Sequence, residues 1–381
     1  MVLTSLPRNP LSPETDRMLV LHVVGARPNF MKVAPVYRAL TNRGVAQLLV
    51  HTGQHYDANM SEVFFQQLGI PQPDENLAVG SGSHAQQTAV IMTRIEPVIV
   101  QSQPDIVLVY GDVNSTVAAA LVCAKLQVPI AHVEAGLRSF DRTMPEEVNR
   151  LLTDQLSDLL FTPSEDANQN LLREGIAPEK IDFVGNVMID TVVRLLPQAI
   201  QTRSLDLPQP YGLLTLHRPS NVDDPATLQP ILTTLLEFSR EIDILFPVHP
   251  RTRQRLQQSG FNQLGGKLHL LDPLPYLEFL GMLHGALFVV TDSGGIQEET
   301  TFLGVPCLTV RENTERPITV SAGTNIIVGR DMDRLAGGIR RILGGQTKIG
   351  QTPNLWDGMA AERIAYTLVT RYRPVAAASA N

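Results

Sequence analysis

The chain has 381 residues, 43% of them hydrophobic and 18% charged, and this ordinary globular balance excludes a disordered or collagen-like protein. The formal net charge of -7 excludes a generally basic surface, so we expect no nucleic-acid partner. Two cysteines, Cys123 and Cys307, exclude a disulfide scaffold and favour a reducing, cytoplasmic compartment. At about 150 residues per domain, the length predicts two or three domains.

Residues 1–17 contain three prolines and lack the long apolar stretch of a signal peptide, so we expect a flexible polar arm there. Farther along, charged or polar residues interrupt every apolar run well before the roughly 18 residues that a membrane span needs. We therefore expect no membrane partner.

From residue 18 onward, short apolar runs alternate with helix-length segments. The runs are continuously apolar and β-branched, a pattern typical of parallel strands buried on both faces. Twelve strands are predicted, at 18–25, 46–53, 105–112, 129–136, 158–163, 180–186, 211–218, 243–250, 267–274, 286–292, 305–310 and 324–329. The helical stretches between them include 61–69, 115–127, 147–158 and 226–242. This alternation predicts a doubly wound α/β fold.

Twelve strands are too many for one comfortable open sheet, so we predict two sheets of about six strands each. The proline-rich, polar stretch at 187–210 predicts the join between them. The predicted domains are therefore 18–190 and 191–357, and a final helix at 358–373 is expected to pack back on the first domain.

In such sheets, ligands bind at the carboxyl ends of the strands. The first strand is followed by Gly25, Arg27 and Lys32, and the two cations can meet phosphate oxygens at a helix N-terminus. The alternative is a simple turn with solvated cations. Asp112 ends the third predicted strand, where it is either an acid of the cleft or only a helix N-cap.

Two further acids are expected to face the same cleft. Glu134 stands at the end of the fourth strand and Glu146 stands near a helix start. For the adjacent Glu147 we favour a structural role, because a carboxylate at a helix N-terminus stabilises the helix dipole.

In the second half, His217 and His249 each follow a strand, where a histidine is either a site residue or a hydrogen-bonded loop residue. The sharpest motif is Ser293-Gly294-Gly295 between a buried strand and a helix, whose free N–H groups suit a diphosphate. Glu299 lies one turn into that helix, where its carboxylate can accept ribose hydroxyls. Arg316 supplies a further cation.

Rival sites have little support in the sequence. The first strand is not followed by G-x-G-x-x-G and the chain contains no G-x-x-x-x-G-K-[ST], which argues against a nicotinamide dinucleotide and a P-loop nucleotide. The histidines show no H-E-x-x-H spacing, so we expect no dedicated metal site. With the nucleotide motifs absent as well, we expect no cofactor.

Taken together, these segments resemble the non-hydrolysing UDP-N-acetylglucosamine 2-epimerases. The motifs that carry the resemblance are GARPNFMK (25–32), HTGQHYDANM (51–60), VYGDVNST (109–116), HVEAGLRSFDRTMPEEVNR (132–150), LHRPSN (216–221), PVHPR (247–251), TDSGGIQEE (291–299) and ERPITVSAGTN (315–325). The resemblance implies a glycosyltransferase-B-like fold, in which two Rossmann-like domains face a cleft. It also implies UDP-sugar binding by the second domain, activity without metal or nicotinamide, and a homodimer.

The resemblance also implies which residues act. The implied catalytic residues are Asp112, Glu134, Glu146 and His217. The implied substrate-binding residues are Arg27, Lys32, Asp112, Glu134, His217, Phe279, Ser293, Gly294, Gly295, Glu299 and Arg316. Among these, Phe279 is implied to contact the uracil and Glu299 the ribose.

The implied reaction inverts C2 of UDP-N-acetylglucosamine by eliminating UDP and adding it back through a 2-acetamidoglucal. One alternative is the same inversion on a UDP-diacetamido-uronic acid. The others are a glycosyltransferase of the same fold, a hydrolysing 2-epimerase, and a UDP-sugar-binding protein without catalysis.

Overall fold

The computed structural model describes residues 18–54, 62–202, 207–248, 250–258 and 266–372; the predicted N-terminal arm and His249 lie outside these ranges. Strands β1 to β13 are Leu19–Val24, Ala46–His51, Glu75–Asn76, Ile106–Tyr110, Ile130–Val133, Leu159–Thr162, Ile181–Phe183, Tyr211–Thr215, Asp243–Pro247, Leu268–Leu271, Phe288–Thr291, Cys307–Thr309 and Asn325–Ile327. Helices α1 to α15 are Arg27–Thr41, Glu62–Leu68, His84–Ser102, Asn114–Leu126, Pro145–Leu156, Glu165–Arg173, Val187–Thr202, Pro219–Val222, Pro225–Phe238, Pro250–Gln258, Tyr276–Gly285, Gly294–Leu303, Pro317–Ser321, Met332–Leu343 and Ala360–Tyr372.

The strands form two parallel sheets. The first has seven strands in the order β3-β2-β1-β4-β5-β6-β7, and the second has six in the order β10-β9-β8-β11-β12-β13. The predicted two-sheet α/β fold is confirmed, and all twelve predicted strands are present. The additional strand β3 has two residues, too few to produce an apolar run in the sequence.

Each sheet reverses its winding direction at one point, between β1 and β4 in the first sheet and between β8 and β11 in the second. Loops at such a switch point diverge to opposite faces and leave a crevice at the carboxyl edge. The segments after β1 and β4 begin helices at Arg27 and Asn114, and the segment after β11 begins α12 at Gly294. The residues expected to bind ligand therefore lie in two groups, one at the crevice of each sheet.

Helix α7 differs from the proline-rich join expected at 187–210. It runs through Pro197 and packs against α1 of the first half and against α11 and α12 of the second. Its buried face includes Ile189, Val192 and Leu195, whose helical spacing and burial outweigh the local effect of one proline. The predicted boundary between residues 190 and 191 thus falls inside a helix that contacts both halves.

The C-terminal helix α15 lies against α1 and α7. Asp190 of α7 holds its first turn, accepting the N–H groups of Ala360 at 3.1 Å and Ala361 at 2.7 Å. Because these donors have no partner within their own helix, the carboxyl group fixes where α15 begins. In the described ranges, no helix is both long and apolar enough to cross a membrane.

Candidate active site

The turn after β1 is fixed to the end of β4 by one side chain. Asn29 Oδ1 accepts the N–H groups of Gly25 at 3.1 Å and Ala26 at 3.0 Å, while its Nδ2 donates to the carbonyl of Tyr110 at 2.9 Å. Arg27 and Lys32 project from the helix that this turn begins. The arrangement holds two cations beside the loop that carries Asp112.

Glu134 is the most constrained of the predicted acids. It follows β5 with φ of +74°, a left-handed conformation that non-glycine residues seldom adopt and that often marks a functional position. The side chain is buried and forms ion pairs with Lys32 and, at 2.9 Å, with Arg316. Burial opposes its ionisation, but Lys32 and Arg316 outweigh burial and hold the pKa of Glu134 below its ordinary value.

Asp112 and Glu146 line one polar cavity of about 350 Å³, here called the acid cavity, together with His84, Gln87 and Asn149. Asp112 is 27% exposed and its carboxylate pairs with Arg150. Asp112 and Glu146 therefore line the same cavity, whereas Glu134 is not among its lining residues.

Side chains of helix α5 fix the loops around the acid cavity by hydrogen bonds and an ion pair. Asn149 Nδ2 donates to the main-chain carbonyl of Asp112 at 2.8 Å, and the buried Arg150 pairs with Glu147 at 2.6 Å. Glu147 also accepts the N–H groups of Ser139 and Phe140, both at 2.9 Å. Glu147 thus fixes the loop before α5, in addition to its favourable place at the start of the helix.

The N-terminus of α12 carries the predicted diphosphate motif of the second half of the chain. Ser293 is its N-cap, and the Ser293 side chain caps no helix N–H group. A Cβ at Gly294 would lie 2.5 Å from Arg316 Nη1, so only glycine lets the arginine approach this backbone. A Cβ at Gly295 would meet no heavy atom within 4 Å in the described chain, so that backbone is open to a ligand.

This N-terminus opens on a second cavity of about 250 Å³, here called the cradle cavity. Its lining comes from both halves of the chain: Arg27, Lys32, Tyr276, Phe279, Ser293, Gly295, Glu298, Glu299 and Arg316 are among the residues. Arg27, Lys32 and Arg316 bring positive charge to the helix end, where a phosphate group is favoured by both the cations and the N–H groups.

Arg316 is surrounded by three buried carboxylates. It lies 2.9 Å from Glu134, 2.8 Å from Glu298 and 2.7 Å from Glu315. Burial alone would lower the pKa of Arg316, but the carboxylates raise it, so the guanidinium stays charged. For Glu298, burial raises the pKa to about 7, Glu134 adds to the rise, and Arg316 opposes it.

Glu299 is also buried and accepts a hydrogen bond from the Tyr276 hydroxyl at 2.7 Å. Burial raises the pKa of Glu299 to about 7, although the bond from Tyr276 opposes the rise. Phe279 lies near Tyr276 on α11 and faces the same cavity. An aromatic ring and an acid thus stand at one end of the cradle cavity.

His217 lies after β8, with its side chain 58% exposed and Nδ1 2.9 Å from Asp292 Oδ1. Asp292 is fully buried and accepts the N–H groups of His217 at 3.2 Å and Arg218 at 3.0 Å. Its neighbours outweigh burial, chief among them His217, and lower the pKa of Asp292. Asp292 therefore orients the histidine, which is not among the residues lining the acid cavity or the cradle cavity.

A larger cavity of about 510 Å³ lies between α1, α7 and α15, away from these acids. Its two arginines already donate to main-chain carbonyls, Arg38 to Leu68 and Arg194 to Gln67. The chemistry therefore favours the two smaller cavities. In the part of the chain that the structure describes, no three His, Cys, Asp or Glu side chains form a group suited to a metal ion.

Sequence reasoning assigned no role to four residues of this region: Arg150, Tyr276, Asp292 and Glu298. Asp292 and Glu298 belong to the quoted motif TDSGGIQEE, and Arg150 ends the motif at 132–150. Their positions in helices or at strand ends were the only features of the sequence that could have indicated a role in the site. Except for Glu147, which lies three residues before Arg150, their partners are distant in sequence, so the pairing itself was not readable.

Fold and site together define the chain as a two-sheet α/β protein with a glycosyltransferase-B-like fold, whose cavities are lined by acids and cations. A lipopolysaccharide outer core galactosyltransferase, 14% identical and with a TM-score of 0.54 over 93% of this chain and 99% of its own, shares this fold. The family profile described as UDP-N-acetylglucosamine 2-epimerase matches residues 38–369, and the chain belongs to that family.

Two relatives are similar along nearly their whole length. The UDP-N-acetylglucosamine 2-epimerase of Methanocaldococcus jannaschii is 43% identical over 91% of this chain and 97% of its own. A crystal structure of that enzyme with UDP-GlcNAc and UDP has a TM-score of 0.85 at 41% identity, covering 93% of this chain and all of that one. The UDP-2,3-diacetamido-2,3-dideoxy-D-glucuronate 2-epimerase of Pseudomonas aeruginosa is 44% identical over 91% of this chain and 98% of its own.

Proposed function

We propose that this protein converts UDP-N-acetylglucosamine to UDP-N-acetylmannosamine by inverting C2, as an isomerase of nucleotide-sugar metabolism for polysaccharide biosynthesis. One observation carries the proposal: the buried Glu134 of the first half pairs with Arg316 of the second, beside the N-terminus of α12. In this proposal Glu134 is the reactive carboxylate and Arg316 belongs to the diphosphate site, so the ion pair makes the two adjacent.

The chemistry requires this adjacency. The C2 hydrogen of the sugar is not next to a carbonyl carbon, so direct removal of the proton is very hard. Expelling UDP from C1 as the C2 proton leaves gives 2-acetamidoglucal. UDP then adds back to C1 while a proton reaches the other face of C2, so atoms and charge balance and no redox cofactor is consumed.

The departing diphosphate needs positive charge and N–H donors aimed at the oxygens where negative charge develops. We assign this task to Arg27, Lys32, Arg316 and His217, and to the N–H groups of the segment 293–295. The cradle cavity supports this assignment because it is lined by three of these cations and by the open backbone of Gly295.

Proton transfer needs a base on one face of the sugar and an acid on the other, with carboxylates that also stabilise positive charge at C1. We assign these tasks jointly to Asp112, Glu134 and Glu146. The acid cavity supports the assignment, since it holds Asp112 and Glu146 close to one another. For the nucleoside, we assign Phe279 to the uracil and Glu299 to the ribose.

A second candidate substrate is a UDP-diacetamido-uronic acid. The observation that favours it is the Pseudomonas aeruginosa relative, whose 44% identity is as high as that of the Methanocaldococcus jannaschii enzyme. Measuring kcat/KM for both UDP-sugars with one enzyme preparation separates the two candidates. A preference of more than tenfold for either sugar identifies the substrate class.

Incubating the purified protein with UDP-N-acetylglucosamine in deuterated buffer tests the proposal. We expect deuterium at C2 and an equilibrium mixture of the two epimers in the proton NMR spectrum. Free N-acetylmannosamine would identify a hydrolysing enzyme, and sugar transfer to an acceptor would identify a transferase. Binding without deuterium at C2 would contradict catalysis altogether.

We also propose that the protein works as a cytoplasmic homodimer. The family resemblance supports the dimer, and the free thiols of Cys123 and Cys307 support a reducing compartment. Light scattering of the purified protein measures its mass and so tests the dimer. Fractionation of the source cells tests the cytoplasmic location.

A further inference from the structure

Glu298 is a buried acid that the proposed chemistry has not used. It lies in the first turns of α12, is 1% exposed, and lines the cradle cavity with Ser293 and Gly295. A carboxylate at this place would repel the diphosphate that the neighbouring cations and N–H groups attract. Either Glu298 is protonated when the diphosphate binds, or the cavity binds a ligand other than a diphosphate.

The two oxygens of Glu298 have different surroundings. Oε1 lies 2.8 Å from Arg316 Nε, whereas Oε2 is buried and has no hydrogen-bond partner among the described residues. An ionised carboxyl oxygen that is buried without a partner is costly, so burial favours the neutral acid, and a ligand oxygen can then accept its proton. The proton belongs on Oε2, because Oε1 faces a guanidinium.

Resting on the proposed function, we propose that Glu298 binds UDP-sugar as a neutral carboxylic acid and donates a hydrogen bond from Oε2 to a diphosphate oxygen. Each other residue of the cradle cavity that we assign to the diphosphate is a cation or a backbone N–H group. Glu298 adds a donor that is neutral when the ligand binds. Its hydrogen bond strengthens as the bond from C1 to the diphosphate breaks and negative charge develops on the diphosphate.

The charged groups around Glu298 support this state. Lys32 of α1 and Arg316 before α13 favour the ionised form, while Glu134 after β5 and the burial of the site oppose it. Burial is the largest effect and raises the pKa of Glu298 to about 7. A bound diphosphate adds negative charge and engages Arg316, so binding raises the pKa of Glu298 further.

Glu298→Gln tests this because the amide is an uncharged donor at every pH. If UDP binds only the protonated acid, about one half of wild-type molecules are competent at pH 7 and about one tenth at pH 8. The wild-type affinity for UDP, relative to that of Glu298→Gln, should thus fall about tenfold between pH 6 and pH 8. Calorimetry at pH 8 in buffers of different ionisation heat should show proton uptake that Glu298→Gln lacks.

Two further variants keep the outcome clear. Glu298→Ala removes the donor and should weaken UDP binding at least tenfold at pH 6, where Glu298→Gln should bind like wild type. Glu299→Gln, which changes the neighbouring buried acid, should leave the proton uptake assigned to Glu298 in place.

Equal proton uptake in wild type and Glu298→Gln would overturn the proposal, as would equal weakening by Gln and Ala or no binding of UDP. These measurements use UDP alone, so they are independent of epimerase turnover. A protein that shows the proton linkage but puts no deuterium at C2 would refute the proposed function and leave the role of Glu298 intact.

Discussion

Arg316 and Glu134 form a buried ion pair at 2.9 Å although 182 positions separate them in the chain. The pair joins the second half of the molecule to the first beside the cradle cavity, which Arg316 lines. Burying two charges is costly unless their geometry and hydrogen bonds compensate, and here Lys32, Glu298 and Glu315 complete the network. The site therefore holds its cations and acids together before any ligand arrives.

Arg316→Lys should weaken UDP binding at least tenfold and also lower stability, because it loses contacts with buried carboxylates. Lysine keeps the charge but lacks the fork that reaches several carboxylates and phosphate oxygens at once. Calorimetry with UDP measures the affinity, and thermal unfolding checks the fold. The control is Arg142→Lys, at an exposed position, which should bind like wild type. Unchanged affinity in Arg316→Lys would remove Arg316 from the diphosphate site.

Asp112→Asn should keep UDP affinity within a few-fold and lower kcat at least a hundredfold, because positioned proton transfer contributes about that much. The amide retains the size of the side chain but cannot accept a proton. Asp272→Asn is a matched control, since that carboxylate is 93% exposed and lies on the second half. Turnover of Asp112→Asn close to that of wild type would exclude this residue from proton transfer.

Much of the fold could be predicted because parallel strands buried on both faces are continuous apolar runs. All five residues of β4 are buried, for example, and its sequence is uninterrupted IVLVY. The edge strand β3 has the polar sequence Glu75-Asn76 and gave no such signal. Helix α7 was obscured by Pro197, because its stability comes from packing on α1, α11 and α12 rather than from local propensity.

The candidate site divides in the same way. Asp112, His217 and Ser293 could be proposed because the carboxyl ends of the strands converge within each sheet, a rule that needs only the order of elements. The role of Glu298 could not, because its protonation depends on Glu134 and Arg316, which approach it only in the folded protein. Sequence patterns identify strand ends well and identify cross-cleft charge networks poorly.

His217→Ala should lower UDP-sugar affinity or kcat at least tenfold. The variant lacks the imidazole that Asp292 orients and that we assign to the diphosphate. The matched control is His269→Ala, another partly exposed histidine, 2.7 Å from Asp243 and on β10. Steady-state kinetics separates KM from kcat for both variants. Wild-type values of both constants in His217→Ala would contradict its placement in the site.

Gly294→Ala should weaken UDP binding at least tenfold because the new Cβ would lie 2.5 Å from Arg316 Nη1 and 2.8 Å from Glu315 Oε1. Arg316 must then move away from the start of α12. Gly337→Ala in α14 is the control, since its Cβ would meet no heavy atom within 4 Å of the described chain. We expect the control to bind UDP normally and to unfold at the same or a slightly higher temperature.

Asp190→Asn should make the free energy of unfolding less dependent on pH. Burial raises the pKa of Asp190 from 3.8 to about 6, although the N–H groups of Ala361 and Ala360 oppose the rise. Because the folded-state pKa is the higher one, the stabilising contribution of Asp190 is complete below pH 4 and is lost as the pH rises through about 6.

At ~1.4 kcal/mol per pKa unit, this loss amounts to at most ~3 kcal/mol by pH 8, and the neutral amide avoids it. Urea unfolding at pH 4 and pH 8 measures the difference between the two pH values for each protein. Asp331→Asn is the control, because Asp331 also accepts a helix N–H group, but at the exposed N-cap of α14. The control should keep the wild-type dependence on pH. If Asp190→Asn loses as much stability as wild type between the two pH values, Asp190 is ionised at the start of α15 throughout that range and holds the helix as a charged cap.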